Sequence, residues 1–564
     1  MKEHRWSENA RIVLTERYLL RDDSGRTTET PDQLLWRVAR SIADVEKSIH
    51  RRRWAQRFYE LMASGDFLPN SPTLMNAGRE NGQLAACFVI PIEDSLDSIF
   101  DALKYAAKIH QSGGGTGFSF SRLRGKGSEV STSHGVAGGP LAFLQIFDQS
   151  TEAIKQGGVR RGANMGVLRV DHPDILEFID IKRDQTSITN FNLSVGVTGA
   201  FFDALAKGRK VELRCPHSGR AVRSVAAQEI FDRIVDSAWK CGDPGLLFLD
   251  RMNLFNPTPT RGAFEATNPC GEQPLLGYEA CNLGSINLGN FVGPSGIEWQ
   301  RLADAVHLAI RFLDDVIDAN HYPLLESEAI TRRNRKVGLG VMGFADLLLA
   351  LGIPYGAPEA EQLGETLMAW VDRHAKTASA QLALERGAFE GFARSLWARL
   401  GYPKLRNATV STVAPTGTIS LLLGASSGIE PIFAAHLRRN VLGGKRLTEL
   451  HPAVEKALRQ KGVGDLNVSE DSIGQRLGAA WRPARVLSIE EHLYTQAAFQ
   501  RHSDSAVSKT VNLPESASRQ DVARAYLLAH QLGCKGITVY RDKSRSSQVL
   551  EQAAPGAVCD LCVD

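Results

Sequence analysis

Cysteine is scarce in this chain, with eight residues in 564. So sparse a set excludes a disulfide-stapled scaffold and makes each thiol a candidate for chemistry. Charge of one sign is lacking too: 66 Lys and Arg stand against 63 Asp and Glu, a net +3. That balance excludes the basic footprint of a nucleic-acid binder and argues against a membrane surface as partner. No apolar run approaches the roughly 18 residues of a membrane span. The longest stretches, such as Ala345 to Leu351, are short and interrupted. The opening residues, Met1-Lys2-Glu3-His4-Arg5-Trp6, carry no apolar leader core, so a cytoplasmic location is expected. A His-Glu-x-x-His zinc site is missing, and Gly125-Lys126-Gly127 lacks the hydroxyl and glycine spacing of a Walker loop. Gly338-Leu339-Gly340-Val341-Met342-Gly343 has dinucleotide-fingerprint spacing, but it follows the charged run Arg332 to Lys336 and has no well-placed acid downstream. It reads as close backbone packing.

What is present is an ordinary globular composition, 43% hydrophobic and 23% charged. Apolar residues at helical spacing (Leu35, Val38, Ile42, Val45, Ile49) predict a helical region over 34–62. From Phe67 onward helical and strand-like segments alternate. Leu193–Val197, Ser285–Leu288, Thr409–Val413 and Gly536–Tyr540 read as strands. Ser95–His110, Pro140–Lys155, Arg301–Asn320 and Glu359–Arg386 read as helices. Such alternation predicts an α/β barrel or a wound sheet. From about Ser546 the chain turns small and polar, as a flexible tail does. It carries Cys559 and Cys562, a spacing that suits thiol–disulfide exchange better than zinc, which would need two more ligands. The expected divisions are 1–65, 66–545 and 546–564.

The densest chemistry lies in Asn268-Pro269-Cys270-Gly271-Glu272, where a carboxamide, a thiol and a carboxylate fall within five residues. Asn-Pro and Gly impose a tight non-helical turn, so the three side chains can converge. The thiol can give a hydrogen atom or an electron pair, and the carboxylate can take a proton. Cys281 follows, in Glu279-Ala280-Cys281-Asn282-Leu283-Gly284-Ser285, and Cys87 sits in the strand-like Leu84–Ile90. Ala414-Pro415-Thr416-Gly417-Thr418-Ile419-Ser420 follows a β-branched strand and precedes a helix, so its N–H groups and hydroxyls can form an anion site.

In these motifs the sequence resembles the large subunit of ribonucleotide reductases, from about Asp66 to Leu550. The resemblance implies a ten-stranded α/β barrel with a radical-bearing loop at its centre, preceded by a small helical region. It makes Cys270 the thiyl radical, Cys87 and Cys281 the reducing pair, Glu272 the general base and Asn268 its substrate-side partner. It implies a substrate site at Ser71, Thr73, Ala86 and Gly115, with the phosphate on Pro415, Thr416, Gly417, Thr418 and Ile419. Asp94 and Arg124 would bind deoxynucleotide effectors at a homodimer interface, with residues 125–139 and 183–192 as specificity loops. Cys559 and Cys562 would pass electrons from thioredoxin or glutaredoxin.

The radical source follows from three segments. The oxygen-dependent class needs a Tyr-Tyr pair, but Thr538-Val539-Tyr540 has one Tyr. The glycyl-radical class needs a C-terminal segment that is missing. Lys535 to Arg545 is similar to the adenosylcobalamin-dependent class, which binds its cobalt cofactor without a His ligand. Accordingly no directly ligating His is identified, and none of the named site residues is a metal ligand. No ATP-binding cone is recognised at the N-terminus. An oxygen-dependent large subunit and a non-catalytic nucleotide-binding regulator remain as alternatives, and the choice between diphosphate and triphosphate substrates stays open.

Overall fold

The first helices form where the caps say they should. Pro31–Ala43 opens on a Thr30/Gln33 capping box with Pro in its first turn, and Leu34, Leu35, Val38 and Ile42 bury one face. Ser48–Ala63 follows after a break at Asp44–Lys47. That break explains a departure from the predicted single run: Ile49, placed on the apolar face by periodicity, is 82% exposed in the first turn of the second helix. The computed structural model describes residues 6–80, 82–130, 135–155, 162–441, 445–545 and 550–553.

Ten strands form the main sheet. In chain order they are β1 Phe67–Pro69, β2 Cys87–Val89, β3 Gly115–Ser119, β4 Asn164–Arg169, β5 Phe191–Val197, β6 Gly245–Phe248, β7 Ala280–Asn287, β8 Val337–Met342, β9 Thr510–Leu513 and β10 Gly536–Arg541. Strands β2 to β6 are parallel neighbours. β7 pairs β8 in parallel and β9 pairs β10 in parallel. The two halves meet antiparallel at two seams, β2 with β7 and β6 with β10. β1 lies end to end with β2 along the same edge of β7.

The ring closes through residues 409–413, the β-branched run read as a strand. Their backbone bonds β8 on one side, with Leu339 N donating to Val410 O at 2.8 Å and Thr412 N to Leu339 O at 3.1 Å. On the other side they bond the segment leading into β9, with Ser505 N donating to Ser411 O at 3.0 Å and Ser508 N to Val413 O at 2.9 Å. Connecting helices, among them Leu96–Gln111, Pro140–Lys155, Ala227–Cys241, Trp299–Ala319 and Pro358–Arg386, cover the outside, as parallel strands buried on both faces require.

Strand alternation sorts the side chains. Phe88, Leu246, Phe248 and Ala280 join the core beneath the helices. Cys87, Val89, Met165, Val167, Leu247, Cys281 and Leu283 point inward and form a separate cluster. Phe264, Ala266 and Leu275 belong to that inner cluster, because the barrel is filled by its own chain. A hairpin of Ala266–Thr267 and Pro274–Leu275 runs through it with Asn268–Gln273 at its tip.

The tail differs from the expected flexible segment 546–564. Residues Leu550–Gln552 are a strand antiparallel to His436–Val441, and Ala553 N donates to His436 O at 2.9 Å. The physical reason is an open hairpin edge whose unpaired N–H and C=O groups take up a passing strand. Cys559 and Cys562 lie outside the described residues.

Candidate active site

The hairpin tip is held on every side. Gly117 of β3 faces Thr267 so closely that a Cβ there would stand 1.7 Å from the Thr267 carbonyl oxygen. Asn192 Nδ2 of β5 donates to Pro269 O at 2.9 Å. Opposite, the Glu272 carbonyl accepts from Ala506 N at 2.8 Å and from Thr412 Oγ1 at 3.0 Å. Within the turn, Gly271 takes φ +83°, and Gln273 N donates to Asn268 Oδ1 at 3.0 Å. Asn268 then has its amide nitrogen free to donate to Cys87 Sγ at 3.0 Å.

Cys87 and Cys281 are direct cross-strand partners at the β2/β7 seam, both pointing inward and not disulfide-bonded. Directly opposed residues on antiparallel strands have Cα atoms about 4.5–5.5 Å apart, inside the reach of a disulfide. Burial pushes the Cys87 thiol well up, and the neighbouring Glu272 adds to it. Cys281 is also pushed up by burial, with Lys336 opposing and Glu279 reinforcing. Both are therefore neutral, proton-bearing thiols at neutral pH. Behind Cys281, Glu279 and Lys336 form a buried ion pair at 2.6 Å.

Cys270 is exposed and Glu272 is buried. Burial raises the Glu272 carboxyl to about 7, against an opposing hydrogen bond from Asn268. Its Oε2 has no hydrogen-bond partner among the described residues. A carboxyl poised near neutrality and with an open oxygen is what a general base needs.

A cavity of about 220 Å³ gathers these groups. Asn268, Cys270, Glu272 and Cys87 line it with Ser71, Ala86, Gly115 and the whole run Pro415–Ile419. Thr416 adopts φ 56° at the start of the helix Gly417–Leu423, whose first N–H groups lack intrahelical acceptors. Cys281 stands behind Cys87, off the wall. Thr73 is also off the wall. It is fully buried, and its hydroxyl donates to Leu84 O at 3.0 Å. Asp94 and Arg124 stand away from this cavity and pair with each other at 2.8 Å.

A second cavity, about 420 Å³, opens on the other side of Cys270 and shares Pro269, Cys270 and Pro415 with the first. Its size suits a nucleoside-bearing ligand. Gln496 lines it with a buried amide oxygen that has no partner among the described residues, and Asn192, Ser194 and Asn512 add polar edges. Among the described residues no imidazole lines it. This donor set fits a cofactor that brings its own cobalt ligands and asks the protein only for hydrogen bonds.

Residues 85–540 match the family description "Ribonucleotide reductase, barrel domain" and residues 5–82 match "Ribonucleotide reductase, all-alpha domain". The chain belongs to the ribonucleotide reductase family. Curated relatives agree. A vitamin B12-dependent ribonucleoside-diphosphate reductase of Thermoplasma acidophilum is 46% identical, covering 96% of this chain and 80% of the relative. One of the same name from Mycobacterium tuberculosis is 49% identical with the same coverage. A ribonucleoside-diphosphate reductase subunit alpha of Chlamydia muridarum is 27% identical, over 96% of this chain and 59% of the relative.

For a ribonucleotide reductase barrel, the residues that the sequence reading missed are the ones that hold the loop: Asn192, Gln273, Thr412 and Ala506. Asn192 and Thr412 had a legible mark, a polar side chain on a strand otherwise bound for the interior. The Gln496 wall of the second cavity had none, because it lies on the helix Ile489–Gln500, distant in sequence from every motif.

Proposed function

We propose that the chain reduces ribonucleoside diphosphates to 2′-deoxyribonucleotides with adenosylcobalamin as radical source, supplying DNA precursors. One observation carries the reading: Cys87 and Cys270 line the smaller cavity, with Cys281 paired behind Cys87, beside a buried carboxyl near neutrality. The names of the relatives support both the cobalamin dependence and the diphosphate substrate.

Asn192, Ser194, Gln496 and Asn512 of the larger cavity would hold the cobalamin, which would supply the unpaired electron when bound. Cys270, on the wall between the two cavities, gives up its hydrogen atom on that side and removes the 3′-hydrogen of the ribose on the other. Glu272 takes the 3′-hydroxyl proton, and Asn268 orients the sugar. The 2′-hydroxyl leaves as water with a proton from Cys87. Cys87 and Cys281 close a disulfide; their two electrons reduce the sugar, C2′ takes the hydrogen of Cys281, and Glu272 returns its proton to the 3′-oxygen. Cys270 then returns the hydrogen atom to C3′. The substrate phosphate rests on the N–H groups of Thr416–Ile419, beside Ser71, Ala86 and Gly115, while Thr73 supports this wall from behind.

Asp94 and Arg124 take the effector nucleotide, their mutual ion pair opening to the incoming phosphate. The apolar Leu96, Phe100 and Ile146, exposed on two neighbouring helices, support a homodimer at that face. Cys559 and Cys562 reopen the disulfide and are themselves reduced by thioredoxin or glutaredoxin.

The test is reduction of each ribonucleoside diphosphate with adenosylcobalamin and dithiothreitol, without a second protein. Turnover is expected for the wild type and none for Cys270→Ser; with thioredoxin in place of dithiothreitol, Cys559→Ser is expected to give a single turnover without cycling. Full activity in Cys270→Ser, or none in the wild type, rejects the reading.

A further inference from the structure

Lys535 is a buried cation that meets no carboxylate directly among the described residues. It precedes β10 and is 3% exposed. All three of its N–H groups go to backbone: Nζ donates to Ser503 O at 3.3 Å, Asp504 O at 2.7 Å and Ser505 O at 2.8 Å. Three donors meeting three successive carbonyls is a complete use of an ammonium. The Phe255 ring centroid lies 4.9 Å from the nitrogen.

Those three carbonyls belong to the turn that runs straight into Ala506, whose N–H holds the Glu272 carbonyl at 2.8 Å. Ser505 adds a second tie, its hydroxyl donating to Gln273 Oε1 at 3.2 Å. The Asp504 side chain points elsewhere. It pairs with Lys376 at 2.8 Å and accepts from Val410 N at 2.8 Å. Lys376 is also paired with Asp372. The turn is thus fixed from two directions, by Lys376 on its carboxylate and by Lys535 on its carbonyls.

We infer that Lys535 is a positioning residue for Glu272: its ammonium gathers the 503–505 carbonyls into the turn that holds the catalytic carboxyl in its buried position. The inference rests on the role proposed above for Glu272. A neutral amine has two N–H groups and a lone pair, so loss of the proton turns a lone pair toward a carbonyl and loosens the turn. Burial lowers the Lys535 pKa to about 7, Asp504 and Asp372 opposing and Lys376 reinforcing. Activity therefore has an alkaline limb set by this amine. A loosened turn admits water to Glu272 and lets its raised pKa fall back, since burial is what raised it.

The test reads Glu272 itself. Infrared titration of the protein without cofactor follows the buried carboxylic acid, identified by its loss in Glu272→Gln. In Lys535→Met the midpoint is expected to fall by about a unit or more from the wild type, and kcat to drop on the order of 10–100-fold with KM little changed. If the Met variant does not fold, Lys535→Gln, with two donors and no charge, takes its place. Lys535→Arg, a cation at every pH, is expected to keep most of kcat and lose the alkaline limb. A Glu272 midpoint and kcat unchanged in the Met or Gln variant, or an unchanged alkaline limb in the Arg variant, overturns the inference. Full activity in Glu272→Gln instead rejects the role of Glu272, whatever Lys535 does.

Discussion

Glu272 shows what burial does to a single residue. Water is withheld from the carboxyl, the charged form loses solvation, and its pKa climbs from 4.5 to about 7. Folding stability then depends on pH with a definite sign. The neutral acid is tolerated in the pocket, so the contribution is present below about 4.5 and is lost as pH rises through about 7. Glu272→Gln is neutral at every pH and is expected to remove that dependence. Its thermal midpoint should exceed the wild type at pH 8 and match it at pH 5, while turnover is lost. A midpoint below the wild type at pH 8 would contradict the assigned burial cost. The pentapeptide announces this carboxylate, but its pKa is not legible there, because desolvation comes from β-strands hundreds of residues away.

At the scale of elements, the central hairpin depends on glycines in the wall around it. Gly117 is the tightest, and any Cβ must displace the Thr267 carbonyl. Gly117→Ala is expected to cost about 1–3 kcal/mol as an overpacked core site. Through movement of the Cys270 tip it should lower kcat by about 100-fold, with nucleotide affinity retained. Urea unfolding and nucleotide binding measured beside turnover check it; wild-type kcat in this variant would show that the hairpin is not held there. The run 409–413 was legible as a strand from its β-branched residues. Its place between β8 and the segment before β9 was not, since register follows from pairing across the ring.

Across the whole molecule, a buried ion network fastens the helical N-terminal region to the barrel. Asp314, fully buried, meets Arg335 at 2.9 Å and both Arg386 and Arg406 at 3.3 Å. Arg386 reaches on to Glu46 at 2.6 Å, in the break between the first two long N-terminal helices. Burial opposes ionisation of Asp314, but Arg335, Arg406 and Arg386 win and hold its pKa below 3.8. Its contribution is therefore present above that value and lost as pH falls through the lowered pKa. Asp314→Asn removes the buried carboxylate that three guanidinium groups share, leaving Arg335 with Asp318 and Arg386 with Asp315 and Glu46, and is expected to cost about 3 kcal/mol, seen as a lower urea midpoint at pH 7. An unchanged midpoint would mean the network adds nothing.

The sequence by itself determined the alternation of strands and helices, the turn that bears Cys270 and the pairing of thiol with carboxylate in five residues. These are local properties of spacing, backbone restriction and side-chain type. Only the tertiary structure decided that Cys87 faces Cys281 across an antiparallel seam, and that one thiol forms a wall of two cavities. It also decided that Lys535, the first residue of the segment 535–545, gathers the carbonyls of Ser503, Asp504 and Ser505. Each of these depends on ring closure, which brings distant segments to one point and strips them of water.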